Sequence, residues 1–221
     1  DGFYHLYPSL EQQWAYYARY IDFMLREPAS QPYLDLRSLI DQKDYFILST
    51  NVDTQVEKTF PAERICIYQG SFAYFQCKQP CCDKLFDARP YVERMLAGMA
   101  GFEVRSEDIP RCPHCGWQLA PWVRDDTFLQ GAAWHESLGR YECFVHEHSN
   151  SRVLLLELGV GEMTPGIITL PFWSMTAKLP NAHLLSVNIS GDSAPLQLGS
   201  KAEAIQADLG MLLSSAQAGD K

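Results

Sequence analysis

Seven cysteines are spread unevenly along the chain, and four fall into two tight pairs: Cys77 with Cys81, and Cys112 with Cys115 in the run Cys112-Pro113-His114-Cys115-Gly116. Two thiolate pairs supply the four soft ligands that tetrahedral zinc takes. In a CPxCG knuckle the turn aims both sulfurs inward, and Gly116 permits the tight backbone that follows. Four thiolates leave no coordination position for water, so an ion held there is structural rather than catalytic. Cys82 competes with Cys81 for the second ligand position, and His114 is a less favoured substitute. The plain alternative is a set of redox pairs or scattered core cysteines. Cys66 and Cys143 fall in an expected strand and an expected helix and read as buried.

A second group of residues follows short apolar runs. Thr50-Asn51-Val52-Asp53 follows Tyr45–Leu48, and Gln69-Gly70-Ser71 follows Ile65–Tyr68. Gly159-Val160-Gly161, with Thr164-Pro165, follows Val153–Leu158, and Asn188 lies in Leu184–Ile189. Runs of this kind suit strands buried on both faces of a parallel sheet. Their ends then line the carboxyl edge, where open α/β sheets bind ligands. Each residue alone has a bland reading, since Asn or Asp after a strand often caps a helix. Their succession at several strand ends is what points to a nucleotide site.

The elements that must position these residues follow from periodicity. Leu10, Trp14, Tyr17, Ala18, Ile21 and Leu25 recur at helical spacing over 9–27, with Ser9 as cap and Pro28 as stop. Further helices are expected at 34–40, 88–100, 132–148, 165–178 and 201–213. Strands alternating with helices give an α/β doubly wound sheet. Residues 74–123 break that rhythm with five of the seven cysteines and several prolines, and read as an insert. His135, His146 and His148 fall on one expected helix, but 146 and 148 do not share a face, so no second metal site is expected. Trp117, Trp122, Trp134 and Trp173 read as core.

The bulk composition bounds function. The formal net charge is −9, which argues against a nucleic-acid binder needing Lys and Arg for phosphates. Hydrophobic residues make up 47%, enough for a real core, yet no apolar run approaches the roughly 20 residues that span a bilayer. No nucleic-acid or membrane partner is expected. Paired cysteines that read as metal ligands place the chain in a reducing cytoplasm.

The order STNVD, YQGSFAYFQC, two cysteine pairs, RDDTFLQ, LGVGxxTP and VN resembles the sirtuins over about residues 1–190. The segments DGFYHLYPSLEQQWAYYARYI, YQGSFAYFQC, RDDTFLQGAAWH and LELGVGEMTPGIITLPFW are similar to those of the macrodomain-linked (class M) microbial sirtuins. The resemblance implies a Rossmann-like parallel sheet with a small zinc-ribbon module inserted. Residues 1–73 and 124–200 would form the NAD-binding domain, with 1–30 a helical segment near the cofactor loop. Residues 74–123 would form the zinc module, and 201–221 a C-terminal helix and tail. It also implies an NAD-dependent protein ADP-ribosyltransferase whose acceptor is a lipoyl-carrier protein of the glycine-cleavage H type, with a partner macrodomain hydrolase that removes the mark. Asn51 would contact the NAD ribose near the reacting carbon, and Asp53 the nicotinamide carboxamide. Gly159, Gly161 and Thr164 would line the phosphates and ribose, and Asn188 would meet the adenosine ribose.

Two departures from the deacylating sirtuins matter. Gln69 stands where those enzymes carry a catalytic histidine. A carboxamide accepts no proton near neutral pH, so Gln69 is no general base, although it can hydrogen-bond ribose hydroxyls. Deacylation needs a base, whereas an acceptor carboxylate is already ionised, so Asn51 and Gln69 would serve transfer rather than deacylation. Second, the glycine-rich phosphate loop that opens the family's Rossmann strand is not found, which implies a shortened chain or one that has lost activity. A weak lysine deacylase and a non-catalytic zinc-stapled binding module are the alternatives.

Overall fold

The computed structural model describes residues 2–3, 5–161, 165–190 and 194–219. In chain order the elements are α1 (Leu10–Arg26), α2 (Gln31–Ile40), β1 (Ile47–Ser49), α3 (Gln55–Thr59), β2 (Ile65–Ile67), β3 (Gly70–Cys77), β4 (Phe86–Asp87) and α4 (Arg89–Gly98). They continue with β5 (Leu119–Val123), α5 (Ala132–Glu147), β6 (Val153–Leu158), α6 (Thr169–Lys178), β7 (Ala182–Asn188), β8 (Ala202–Gln206) and α7 (Leu209–Gly219). The chain divides into two compact units. The first comprises 1–28, 49–58 and 67–137, and the second 29–48, 59–66 and 138–221.

In the first unit α1 begins where sequence periodicity placed it. Ser9 is extended, and its hydroxyl accepts from Gln12 N at 3.2 Å. The helix stops at Arg26, ahead of Pro28, which disfavours helical backbone in the residue before it. Trp14, Ala15, Ala18 and Ile21 form its buried stripe. They pack with Phe72 and Phe75 of β3, Val92 and Met95 of α4, and Leu119 of β5 in one core. β3 is the central strand of an antiparallel sheet in the order β4-β3-β5. Its register on β5 runs from Gly70↔Val123 to Cys77↔Leu119, with an irregularity between Ser71 and Phe75.

The second unit holds a parallel sheet in the order β6-β7-β8. Leu155, Leu184, Ile168 and Phe172 make its core against α6. α7 packs on α2.

Three expectations are corrected. Residues 202–206 form a strand, not the opening of a helix: Leu184↔Ala202 through Asn188↔Gln206 pair in parallel, and the helix comes later, at Leu209–Gly219. An Ala/Glu/Gln composition favours helix locally, and the available edge of β7 overrides it. Cys143 is exposed, on the outer face of α5 beside Glu147 one turn on. Trp117 is 55% exposed at the tip of the knuckle, whereas Trp122 and Trp134 are buried.

Candidate functional site

β3 carries Cys77 to its end, and the antiparallel partner β5 starts just after the knuckle, so the sheet itself draws the two cysteine pairs together. The sulfurs of Cys77, Cys81, Cys112 and Cys115 all lie within 4.8 Å of one another. Cys77 to Cys115 and Cys81 to Cys112 are each 3.6 Å apart. Zinc–sulfur bonds of about 2.3 Å at tetrahedral angles put sulfurs about 3.8 Å apart, so the donor set and its spacing fit zinc. The knuckle closes by Gly116 N donating to Cys112 O at 2.8 Å, and Gly116 adopts φ +73°. Burial raises the Cys112 thiol, but the amides of Cys115 and His114 outweigh it and bring the thiol down to about 7. The Cys81 thiol is pushed up, first by its hydrogen bond to Cys115. Cys82 lies outside the quartet, packed against the core, and His114 faces the Phe86 ring.

At the other end of β3 lie Asn51, Asp53 and Gln69. Tyr68 N donates to Ser49 O at 2.8 Å, and Phe72 N donates to Val52 O at 3.1 Å. These two bonds bracket the segments that hold Asn51 and Gln69, which lays the two side by side. Ser49 Oγ accepts from Asn51 N at 3.1 Å, and Asp53 Oδ1 accepts from Gln55 N at 3.1 Å, so each loop residue sits in a local turn. Asn51 is exposed, and Asp53 and Gln69 are half-buried. The nearby Glu57 carboxyl is raised, chiefly by burial, and the Ser71 hydroxyl opposes that shift.

The structure adds a residue that sequence reasoning passed over. Arg124 N donates to Gln69 O at 3.0 Å. The Arg124 guanidinium lies over the rings of Phe128, Tyr68 and Trp134 at 4.6, 5.3 and 5.9 Å from their centroids, and donates to Tyr68 O at 3.3 Å. Aromatic faces stabilise a cation electrostatically. The side chain is exposed, so a fixed positive charge is presented next to Gln69. Its one sequence signal is its place at the head of the RDDTFLQ segment. A cavity of about 150 Å³ adjoins it, with Phe3, Tyr17, Lys78, Gln118 and Asp125 in its wall.

In the second unit, the carboxyl ends of β6 and β7 bring Gly159 and Asn188 together. Gly159 N donates to Val187 O at 2.9 Å, and Asn188 Nδ2 donates to Val160 O at 3.0 Å. Gly159 has φ +62°, and a Cβ there would meet Leu209 at 3.2 Å. Gly161 has open space around it. Thr164 lies outside the described residues. The candidate residues thus form two groups, Asn51, Asp53 and Gln69 in the first unit and Gly159, Gly161 and Asn188 in the second.

No protein-family model matches the chain. It is 29% identical over 220 residues to a protein ADP-ribosyltransferase of Staphylococcus aureus (strain Mu50), covering 98% of this chain and 70% of that protein. It is 24% identical over 178 residues to a probable bifunctional ADP-ribose hydrolase/ADP-ribosyltransferase of Fusarium oxysporum f. sp. cubense, covering 75% of this chain and 29% of that protein. Among solved structures, a sirtuin analysed for its substrate affinity matches with TM-score 0.66 at 16% identity, over 95% of this chain and 80% of the other. A Sir2 complex with a p53 peptide and NAD+ matches with TM-score 0.63 at 16% identity, over 95% and 79%. The chain has the sirtuin fold.

Proposed function

We propose that this sirtuin-fold chain is an NAD-dependent protein ADP-ribosyltransferase of the macrodomain-linked (class M) kind, with a structural zinc ion. The observation that carries the reading is Gln69, its main-chain carbonyl accepting from Arg124 N, in a chain matched over 98% of its own length by a relative named for ADP-ribosyl transfer. NAD supplies an ADP-ribosyl group on a glycosidic carbon with nicotinamide as leaving group. Asn51 orients the ribose, Asp53 accepts hydrogen bonds from the nicotinamide carboxamide, and Gln69 hydrogen-bonds ribose hydroxyls without taking a proton. Gly159, Gly161, Thr164 and Asn188 hold the nucleotide half.

The acceptor in this reading is a lipoylated carrier protein, in the cytoplasm, with a macrodomain hydrolase as functional partner. Arg124 supports an anionic acceptor side chain. A carboxylate is ionised near pH 7, so no general base is required for its attack, and a held guanidinium attracts it electrostatically. Among the described residues no helix is long and apolar enough to cross a membrane.

The test is incubation with NAD and a carrier protein in lipoylated and unlipoylated forms, alongside an acetyl-lysine peptide, with products read by mass spectrometry. ADP-ribose attached to the lipoylated carrier alone is the expected result. Loss of acetyl from the peptide would instead favour a deacylase. Neither product, together with no heat of NAD binding, would leave a zinc-stapled binding module.

A further inference from the structure

One non-glycine residue among those described has a positive φ: Thr54, at +67°. Left-handed backbone is strained for a β-branched residue and persists only where its surroundings over-determine it. Thr54 follows Asp53 directly and is 2% exposed. Its Oγ1 donates to Met24 O at 3.1 Å. Lys58 Nζ donates to the same carbonyl and to Glu27 O, and Gln55 Nε2 donates to Pro28 O at 3.4 Å. Three side chains of the 54–58 hook thus reach carbonyls at and just beyond the end of α1. The last carbonyls of a helix lack intrahelical donors, and its negative end favours a cation such as Lys58.

We infer that Thr54 is a positioning residue, whose left-handed backbone, anchored through Oγ1 on the last turn of α1, fixes where the Asp53 carboxylate points. The Asn51–Asp53 loop hangs from α1 by these bonds. A relaxed residue 54 would let the Asp53 carboxylate swing while the fold stays intact. This inference rests on the proposed reading of Asp53 as a contact of the nicotinamide end of NAD.

The test is calorimetric titration of NAD into the full chain and into Asp53→Ala, Thr54→Gly, Thr54→Ser and the Asp53→Ala/Thr54→Gly double variant. Thermal unfolding is measured on each. Thr54→Gly should unfold near the parent's midpoint, because glycine takes φ +67° freely and that gain offsets the lost hydroxyl bond. Its Kd for NAD should rise by about tenfold, within the range of coupling between residues in contact. Thr54→Ser, which keeps the hydroxyl, should bind within about twofold of the parent. On the Asp53→Ala background, Thr54→Gly should add almost nothing. Lys58→Met removes the second donor to Met24 O without touching residue 54, and the same non-additivity is expected of it if Thr54→Gly folds poorly. Parent-like affinity in Thr54→Gly, or a full tenfold loss on top of Asp53→Ala, overturns the inference while leaving Asp53 in its role. Parent-like affinity in Asp53→Ala removes that role, and the inference with it. No NAD binding by the parent chain overturns the functional reading itself.

Discussion

Replacing Gly70 by alanine separates two costs that a positive φ usually blends. Gly70 has φ +85°, and a Cβ there would lie 2.0 Å from Trp122 O and 2.8 Å from the Phe128 ring. Gly101 has φ +61° with nothing within 4 Å. Both substitutions carry the left-handed penalty, about 1 kcal/mol for a non-glycine residue. Only Gly70→Ala also collides with backbone. No Cβ can sit 2.0 Å from a carbonyl oxygen, so β3 and β5 must part by roughly an ångström at that point. The Arg124 N to Gln69 O bond, 3.0 Å long, lies beside the breach. Losing it costs about 1 kcal/mol, since Arg124 is exposed and Gln69 half-buried. Gly101→Ala should therefore cost about 1 kcal/mol and Gly70→Ala about 2 kcal/mol, or about 3 °C and about 6 °C in midpoint for a chain of this size. Thermal unfolding followed by tryptophan fluorescence reads both variants, since Trp122 is at the breach. Equal midpoints would refute the reasoning, because they would mean that β3 and β5 do not approach this closely at Gly70.

Three further outcomes follow from the same geometry. Purified chain should carry one zinc per molecule, Cys115→Ser should lose it, and Cys82→Ser should keep it; metal analysis decides, and a zinc-free Cys82→Ser would put Cys82 in the quartet. Arg124→Ala should lower transfer to a protein acceptor by about tenfold to a hundredfold, the range for a charge-assisted contact, with NAD affinity little changed; a loss confined to NAD affinity would place Arg124 elsewhere. In the second unit Asp44 accepts from Arg64 at 2.6 Å and meets His148 Nε2 at 3.0 Å. The Arg64 bond holds Asp44 below its usual 3.8, so its contribution is present above that value and is lost as pH falls through the lowered one. The Phe144 carbonyl and then Asp44 hold His148 above its usual 6.5, so its contribution is present below that value and is lost as pH rises through the raised one. Urea unfolding of His148→Gln should accordingly show destabilisation at a pH between those two values and little at alkaline pH, and an equal effect at both would remove the ionic pair.

The sequence was most legible where chemistry is written locally. Two cysteine pairs and Gly116 suffice to announce the metal centre, because a knuckle is built from its own turn. The run Val153–Leu158 announces a strand by its length and β-forming composition, although it buries only alternate residues, Leu155 and Glu157, rather than both faces. What was illegible depends on distant partners. Whether Cys81 or Cys82 completes the quartet turns on how β3 and β5 register. The strand at Ala202–Gln206 exists because β7 offers an edge, not because of its composition. Arg124 looks like any surface arginine until the distant Tyr68 joins Phe128 and Trp134, from the stretch that follows it, under its guanidinium. The strain at Thr54 has no sequence signature, since threonine after Asp53 reads as an ordinary turn.

β3 is the physical link between the metal and the candidate reaction residues. It begins next to Gln69 and ends on Cys77, a span of about 23 Å at strand rise. Next to Cys77, the last residue of the strand, Gln76 is fully buried and spends both ends of its amide on the loop after β5. Its Nε2 donates to Thr127 O at 2.7 Å, and its Oε1 accepts from Leu129 N at 2.8 Å. That loop follows Arg124, and Asp125 Oδ1 closes its turn by accepting from Thr127 N at 2.7 Å. Asp83, two residues past Cys81, meanwhile accepts from Ala132 N at 2.9 Å and holds the start of α5. The end of β3 that carries Cys77 and the segment after Cys81 are therefore tied to residues 127–132 through two side chains, Gln76 and Asp83. Gln76→Leu fills the same volume but takes the partner from the Leu129 N–H and the Thr127 C=O, both in half-buried residues, at about 1 kcal/mol for each bond. The variant should keep its zinc, lose about 2 kcal/mol of stability, and show faster amide exchange at 125–131 than at β6. Zinc loss from Gln76→Leu would mean that the loop supports the metal rather than the reverse, and unchanged exchange at 125–131 would mean that the Gln76 amide does not hold the loop.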